Sequence, residues 1–353
     1  MSGQLPIRRT VSSLTTKPAR LLHHWLPQLW RSELADTSTL SPDSVAMNRR
    51  LNDHGVPVPF EPGPHPSVRN PVLTGADVDD FGHANYVADP FLFPMGDRWH
   101  LFVEVYNEWC KPTAAIGHAT SSDGRAWTYE GRVLTEPVHL SYPYVFAAED
   151  ERYLVPDQKR PAEDATVTLY RARSFPTDWE AVATIIQPGR ETSDHVVFRR
   201  DDRWWCLVGH QPTGSLYAYY SDMLERDEWL PHRDNPVVEH RPHAARPGGR
   251  PIVTDDETVV FYQDCTDSYG QRVNGYRVTE LTEDRFEDEP LQKDPVLEAT
   301  GRIGWNAGRM HHIDPWPVED GFVCAVDGDI GLGRGSWASA QWSIGVFWQP
   351  IVG

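Results

Sequence analysis

A repeat of about 52 residues constrains the fold of this chain more than any other feature. Each copy opens with two runs of alternating apolar residues joined by a short polar turn, a pattern typical of a β-hairpin. The residues that lead the five copies are separated by 53, 52, 52 and 66 positions, and they are Asp89, Tyr142, Asp194, Arg246 and His312. Regular spacing of this kind indicates a tandem array of structural units.

Each copy has room for about four strands. A turn followed by Trp lies in the second half of the early copies, as at residues 122–127, 175–179 and 224–229, and separates two further strand-like runs. Four-stranded units repeated around an axis form a β-propeller. The sequence therefore predicts an all-β fold, a five-bladed β-propeller. Three successive intervals of 52 or 53 residues disfavour the alternative, a pair of β-sandwiches with accidental spacing.

The repeat also sets the expected domain boundaries. We predict a propeller over residues 66–353, with blades at approximately 86–135, 139–187, 193–239, 244–299 and 309–349. Residues 1–65 are rich in Ser, Thr and Pro, a composition typical of arms and linkers, and form the predicted irregular N-terminal extension. Residues 21–30 within it have the composition of a short helix. Residues 342–348 are expected to complete the fifth blade or close the ring, and residues 331–335 to form a flexible loop.

Composition excludes several classes of function. The formal net charge of −18, from 51 acidic and 33 Lys or Arg residues, argues against nucleic acid as a partner. With only four Lys, the acidic chain suits a halophilic protein. No apolar run predicts an integral membrane segment, and the N-terminus lacks the pattern of a secretory signal, so we expect a cytoplasmic protein. The four Cys are widely spaced without a CxxC pair, so they indicate neither a zinc site nor a disulfide scaffold, and we expect no metal and no cofactor.

The repeat also predicts where a functional site lies. If each leading residue starts an inner strand at one end of the propeller, the returning strand brings a residue about fifteen positions later back to that end. Adjacent strand residues face opposite ways, so only one of His311 and His312 reaches the axis. The predicted ring of polar residues is Asp89, Glu104, Tyr142, Asp157, Asp194, His195, Arg246, Asp264, His312 and Asp327.

A ring of carboxylates suits glycoside chemistry. Carboxyl groups that converge in a cleft raise one another's pKa, and glycoside hydrolysis needs one protonated and one ionised carboxyl group. Aromatic residues near the mouth are available to stack on sugar rings: Trp109, Tyr142, Tyr144 and Tyr269. The sequence has no Gly-x-Ser-x-Gly elbow, no Walker-type phosphate loop and no His-Glu-x-x-His motif, which argues against the corresponding enzyme classes.

Several stretches resemble the N-terminal domain of the glucosamine inositolphosphorylceramide transferase family of plants, which has bacterial and archaeal relatives. These stretches occur in order at residues 70–74 (NPVLT), 87–93 (VADPFLF), 139–146 (HLSYPYVF), 153–156 (YLVP), 245–249 (ARPGG) and 262–265 (YQDC). The resemblance covers roughly residues 68–330. A wider resemblance, carried mainly by the Asp-Pro pair at residues 89–90, links the chain to the five-bladed propellers of family 43 and family 32 glycoside hydrolases.

The resemblance implies a carbohydrate-directed propeller in which Asp89 matches the first-blade catalytic aspartate of the superfamily. The chain departs from the family at Asp157, where Glu is usual, and Tyr142 replaces the second-blade aspartate of the superfamily. Asp194 would then take over the supporting role. The general acid is fixed by no motif, and both Glu104 and Asp157 are candidates.

Two functions remain open at this point. In the first, the protein is glycoside hydrolase-like and acts on a glycan or glycoconjugate, with Asp89 as base, Asp194 tuning it, and Glu104 or Asp157 as acid. In the second, the same cup binds a glycan or glycolipid head group without cleaving it. The other members of the ring are assigned to substrate binding: Tyr142, His195, Arg246, Asp264, His312 and Asp327.

Overall fold

Five antiparallel β-sheets follow one another in the computed structural model, which describes residues 55–318, 321–331 and 340–351. A two-residue strand, β1 (Gly63–Pro64), precedes them. The first blade contains β2 (Tyr86–Met95), β3 (Arg98–Tyr106), β4 (Ala114–Ser121) and β5 (Thr128–Leu134). The second contains β6 (His139–Ala148), β7 (Glu151–Lys159), β8 (Val167–Ser174) and β9 (Asp178–Ile186).

The remaining three sheets complete the propeller. The third blade contains β10 (Ser193–Arg200), β11 (Arg203–His210), β12 (Ser215–Ser221) and β13 (Leu230–Pro231). The fourth contains β14 (Arg246–Pro247), β15 (Ile252–Val253), β16 (Thr258–Asp264), β17 (Arg272–Leu281), β18 (Phe286–Pro290) and β19 (Leu297–Glu298). The fifth contains β20 (Ile313–Val318), β21 (Gly321–Asp329) and β22 (Trp342–Pro350), with β1 added outside β22. The prediction of an all-β, five-bladed propeller is confirmed.

Part of the predicted N-terminal extension belongs to the propeller. Gly63 and Pro64 pair with Trp348 and Phe347 of β22, because the fifth repeat supplies only three strands and leaves a sheet edge to be covered. Just before this strand, the wholly buried ring of Phe60 lies 5.6 Å from that of Phe261 and 5.4 Å from that of Phe322, centroid to centroid. The boundary that we placed at residue 65 is therefore too late.

Some sequence predictions concern residues outside the described ranges. These are the helix at residues 21–30 and most of the loop at residues 331–335. Within the described ranges, no helix has the length and apolar character needed to cross a membrane.

The inner strands of the first three blades share one backbone irregularity at their leading residues. Asp89, Tyr142 and Asp194 have φ angles of 52°, 47° and 56°, in the left-handed region that residues with a Cβ rarely adopt. At each position the pairing with the next strand is interrupted. Bulges of this type re-aim side chains and concentrate near functional sites. The 52-residue repeat therefore marks a repeated bulge as well as a repeated strand.

A buried ion pair joins four blades where the inner strands converge. Arg250 Nε donates to Asp314 Oδ1 over 2.7 Å, and the same guanidinium donates to the carbonyl oxygens of Leu92 and Val145. The Asp314 carboxylate also accepts the Leu92 backbone N–H, at 2.6 Å. A buried charge is tolerated when it is paired and its hydrogen-bonding capacity is used, as it is here. This cluster fixes the relative positions of the first, second, fourth and fifth blades.

Candidate active site

A cavity of about 810 Å³ opens at one end of the inner strands, and all five blades contribute to its wall. The first two blades supply Tyr86, Ala88, Asp89, Glu104, His139, Ser141, Asp157, Lys159, Arg160 and Pro161. The other three supply Glu191, Thr192, Ser193, Gln211, Pro212, Arg246, Tyr269, His311 and Trp342. Four predicted site residues line this cavity: Asp89, Glu104, Asp157 and Arg246. The hairpin register accounts for this, since Ala88 faces Glu104 and Ser141 faces Asp157 across the strands.

Asp89 lies at the bulge of β2 and is held from two neighbouring blades. Its Oδ2 accepts the backbone N–H of Tyr142 at 3.1 Å, and its own N–H donates to Asp327 Oδ2 at 3.1 Å. Its Oδ1 lies 3.7 Å from His311 Nε2. Burial, together with the negative charge of Glu104 and other nearby carboxylates, raises the pKa of Asp89 well above its usual range.

Asp157 lies on β7 and is 9 % exposed as a whole residue. Burial and the negative charge of Asp194 raise the pKa of Asp157 to about 7, although Arg246 and His139 act in the opposite direction. One carboxylate oxygen lies 3.7 Å from the Nε2 atom of His195. A carboxyl group that is half-protonated near neutral pH is suited to donate a proton to a leaving group.

Glu104 on β3 is oriented by residues of its own blade and the next. Its Oε1 lies 3.2 Å from His139 Nε2 and accepts a 3.5 Å hydrogen bond from the Tyr86 hydroxyl. The other ring nitrogen of His139 lies 3.0 Å from Thr113 Oγ1, which fixes the imidazole. Tyr86 in turn stacks on Tyr106, with ring centroids 4.6 Å apart. Glu104 is therefore a third cavity carboxylate with a defined orientation.

Arg246 neutralises part of this acidic cavity. Its Nε donates to Asp194 Oδ2 at 2.5 Å, another guanidinium nitrogen contacts Gln211 Oε1, and its charge lies 4.9 Å from the centroid of the Tyr269 ring. Asp194 is only 2 % exposed and also accepts a hydrogen bond from Gln263 Nε2 at 2.7 Å. Asp194 therefore lies behind Arg246 instead of lining the cavity, and it acts on Asp89 and Asp157 through its charge.

Two residues assigned to substrate binding are packed beneath the cavity wall. The wholly buried Tyr142 accepts the Gly249 N–H through its hydroxyl at 2.7 Å, because the bulge turns its side chain toward the fourth blade. His312 packs edge-on against Phe91 and Tyr142, at centroid distances of 4.6 and 5.2 Å. Burial lowers the pKa of His312 to about 3, so its imidazole is neutral.

Three further members of the predicted ring also lie off the cavity wall. Asp327 accepts the backbone N–H groups of Asp89, His311 and His312, which joins the fifth blade to the first. Asp264 accepts the Thr266 N–H and pairs with Arg272 at the end of its hairpin. His195 is wholly buried behind Asp157, and burial lowers its pKa to about 4. Their contacts are with protein groups.

Several cavity residues were absent from the predicted ring. His311 stacks on Trp342 with centroids 4.0 Å apart, and its Nδ1 lies 2.8 Å from the Asp327 carboxylate. The alternation argument allowed one residue of the pair 311–312 to reach the axis, and the structure places His311 there because regular strand geometry begins only at Ile313. His139 was present in a quoted motif, but no charge pattern in the sequence linked it to Glu104.

One group of side chains has the spacing of metal ligands. Donor atoms of Asp89, His311 and Asp327 lie within 4.8 Å of one another. The Asp327 carboxylate, however, already accepts three backbone N–H groups and contacts His311 Nδ1. These contacts explain why the three side chains lie close together: they form a hydrogen-bond network that positions Asp89.

The part of the chain that contains this site matches a known protein family. Residues 61–329 match the family model described as glucosamine inositolphosphorylceramide transferase 1, N-terminal. The chain belongs to this family. Its members include glucosamine inositolphosphorylceramide transferase 1 of Oryza sativa subsp. japonica, 34 % identical over 74 % of this chain, and that of Arabidopsis thaliana, 32 % identical over the same share. The match covers 36 % and 35 % of these relatives, so the chain spans about a third of their length.

Several solved structures that are similar to this chain are propellers with glycoside hydrolase names. The catalytic domain of an α-L-arabinofuranosidase from Coprinopsis cinerea aligns with a TM-score of 0.61 and 13 % identity, covering 83 % of this chain and 98 % of that one. A glycosyl hydrolase from Bacteroides ovatus aligns with a TM-score of 0.58 and 12 % identity, covering 91 % and 98 %. At such low identity the likeness concerns the fold alone.

Proposed function

We propose that this protein is a carbohydrate-active propeller that acts on a glycan or glycoconjugate by carboxylate acid and base chemistry. In this proposal Asp157 donates a proton to the leaving oxygen, and Asp89 acts as the base or nucleophile on the opposite side of the sugar. Asp194 keeps the pKa of both groups high, and Arg246 limits the total negative charge. The glycoside hydrolase names of the structural neighbours support the substrate class.

The observation that carries this proposal is the raised pKa of Asp157, at about 7, in a cavity shared with Asp89 and Glu104. Burial and the charge of Asp194 favour the protonated form of Asp157 and raise its pKa to about 7, and burial with the charges of neighbouring carboxylates raises the pKa of Asp89 well above its usual range. A carboxyl group with a pKa of about 7 is present in both its protonated and its ionised form near neutral pH, which suits it to proton transfer in catalysis. The half-buried ring of Tyr269, which lines the cavity, is the aromatic group available to a sugar.

One observation favours a second candidate, binding without cleavage. The resemblance to family 43 and family 32 glycoside hydrolases implies an aspartate at the position that Tyr142 occupies here. The Tyr142 hydroxyl is hydrogen-bonded to the Gly249 backbone. In this alternative the cavity recognises a glycan or a glycolipid head group. The name of the plant relatives, glucosamine inositolphosphorylceramide transferase 1, is consistent with it.

The test is a panel of aryl glycosides and oligosaccharides applied to the wild type, Asp89→Asn and Asp157→Asn. Turnover by the wild type that falls at least about a hundredfold in both variants supports the enzyme. The matched control is Asp97→Asn, which changes an exposed aspartate in the turn between β2 and β3 and should leave turnover unchanged. Binding of a glycan without turnover by any of the proteins would favour the binding module.

The working environment is a further part of the proposal. We propose that the protein is halophilic, that it works in the cytoplasm and that it does not bind nucleic acid; the net charge of −18 and the four Lys residues support the first and third points. Thermal stability measured from 0.1 to 3 M KCl tests the first point, since a halophilic protein gains stability as salt screens its repulsion. Cell fractionation with an antibody tests the second, and gel-shift titration with DNA and RNA the third.

A further inference from the structure

Two neighbouring cations, Lys159 and Arg160, line the cavity at the end of β7. We propose that the cavity binds a glycoside whose leaving group carries an anion, phosphate or carboxylate, and that Arg160 holds that anion, with the positive charge of Lys159 beside it. This inference rests on the proposed function, because it names the class of substrate for the same cavity.

Arg160 is held in place without being neutralised. Its Nε donates to Gln158 Oε1 at 3.0 Å, the buried Gln158 amide donates to the Tyr170 hydroxyl at 3.1 Å, and that hydroxyl donates to Glu136 at 3.1 Å. This chain fixes one edge of the guanidinium. Among the described residues, no carboxylate oxygen comes within 4.0 Å of the guanidinium nitrogens of Arg160. Its two terminal nitrogens therefore remain available for the bidentate contact that arginine makes with carboxylate or phosphate.

The contrast with other arginines makes this position informative. Arg241, Arg250 and Arg309 are largely shielded from solvent, and each is paired with an aspartate at 2.7 Å. Arg246, the other cavity arginine, is paired with Asp194. In a chain with 51 acidic residues against 33 Lys and Arg, a fixed cavity cation without a carboxylate partner in the described structure is suited to an anion supplied by the ligand.

The position of the cations along β7 indicates which part of the ligand carries the anion. Asp157 and Lys159 are two residues apart on one strand and so lie on the same face, about 7 Å apart, and Arg160 follows directly after the strand and also lines the cavity. If Asp157 protonates the leaving oxygen, Lys159 and Arg160, which follow it along the chain, lie next to the leaving group. The sugar that is cleaved then lies on the other side, near Asp89 and the His311 ring. The anion is therefore expected about one ring away from the scissile oxygen.

The test uses matched pairs of phenyl glycosides that differ only in charge at the para position. One pair carries carboxylate or the neutral carboxamide, and the other carries phosphate or the neutral hydroxyl, so the two arms distinguish the two sources of the anion. Their sugar is varied over the panel used above. Dissociation constants are measured by calorimetry in the Asp89→Asn background, in which the proposed function predicts turnover at least about a hundredfold slower than in the wild type. Arg160→Gln and Lys159→Gln are compared with Arg152→Gln, a control at the opposite end of β7.

We expect the anionic member of at least one pair to bind about tenfold more tightly than its neutral partner, as one charge-assisted hydrogen-bond pair provides. This preference should shrink to about twofold in Arg160→Gln, weaken in Lys159→Gln, persist in Arg152→Gln, and fall as salt is raised from 0.05 to 0.5 M. Melting temperatures confirm that the variants fold.

Three results would overturn the inference in distinguishable ways. Equal binding of charged and neutral partners would remove the anion site while leaving the proposed function intact. A charge preference that survives in the Arg160→Gln/Lys159→Gln double variant would place the anion elsewhere. No binding of any glycoside, charged or neutral, would defeat the proposed function and the inference together.

Discussion

Replacing Asp157 by Asn should make the protein more stable at alkaline pH while impairing its site. The pKa of this buried carboxyl group is about 7, well above the ordinary value of 3.8, because burial and the charge of Asp194 disfavour its ionised form. In the unfolded chain the same group ionises near its ordinary value. The native state therefore binds the extra proton between these two pKa values, and its free energy of unfolding falls as pH rises through that interval.

The size of the effect follows from the shift in pKa. One pKa unit corresponds to about 1.4 kcal/mol, and the interval from 3.8 to about 7 gives up to about 4 kcal/mol of stability lost between pH 4 and pH 8. An upper bound is appropriate, because the nearby carboxyl groups share the proton. Asn at position 157 resembles the neutral acid at all pH values, so this contribution to the slope disappears in the variant.

Urea unfolding followed by tryptophan fluorescence measures the difference directly. The free energy of unfolding of the wild type and Asp157→Asn is determined at each pH unit from 4 to 8 at fixed salt. We expect the free energy of unfolding of Asp157→Asn, relative to that of the wild type, to increase steadily up to about pH 7 and then to stay constant. Asp97→Asn, in an exposed turn, serves as the control and should run parallel to the wild type. A difference between wild type and Asp157→Asn that does not change with pH would refute the reasoning.

Four further outcomes are expected. Asp327→Ala should lower the free energy of unfolding by about 3–5 kcal/mol in urea titrations, because three buried backbone N–H groups lose their acceptor. Tyr142→Phe should lower it by about 1–3 kcal/mol through the orphaned Gly249 N–H, with ligand affinity by calorimetry unchanged. Phe60→Ala should lower it by about 3–5 kcal/mol, since this segment is part of the core. Turnover should decline about tenfold per pH unit above about pH 7 as Asp157 loses its proton.

Each of these outcomes can fail informatively. A full-length Asp327→Ala protein as stable as the wild type would mean that water replaces the lost acceptor. Weaker ligand binding by Tyr142→Phe would mean that the Tyr142 hydroxyl contributes to ligand binding. An unchanged Phe60→Ala protein would separate the segment before β1 from the propeller core. Turnover that rises above pH 8 would exclude Asp157 as the acid.

The spacing of the repeat carried most of the information about the fold. The intervals between Asp89, Tyr142 and Asp194 predicted inner strands, and the structure places a bulge at each of these residues. Hairpin arithmetic also brought Glu104 and Asp157 to the cavity end, because antiparallel pairing fixes which residues face one another. These are consequences of local pattern, which a single sequence records.

The repeat spacing and the hairpin register could not predict the direction in which each side chain points. A bulged residue leaves the regular alternation of a strand, so the period-two argument fails at Tyr142 and Asp194. The pairing of Asp194 with Arg246 joins residues 52 positions apart and depends on how adjacent blades pack. The edge strand β1 was missed for a related reason, since a two-residue strand has no detectable pattern and its partner lies at the other end of the chain.

The sharing of one sheet by β1 and β22 has a consequence for biosynthesis. The 278 positions between Pro64 and Trp342 take roughly 15–55 s to translate at about 5–20 residues per second. During that time the early strand has no edge to join, and the part of the cavity lining that includes Trp342 does not yet exist. A nascent chain that stops short of β22 thus carries most of the sheets but an incomplete cavity, so a ligand can occupy the finished cavity only after the last strand emerges from the ribosome.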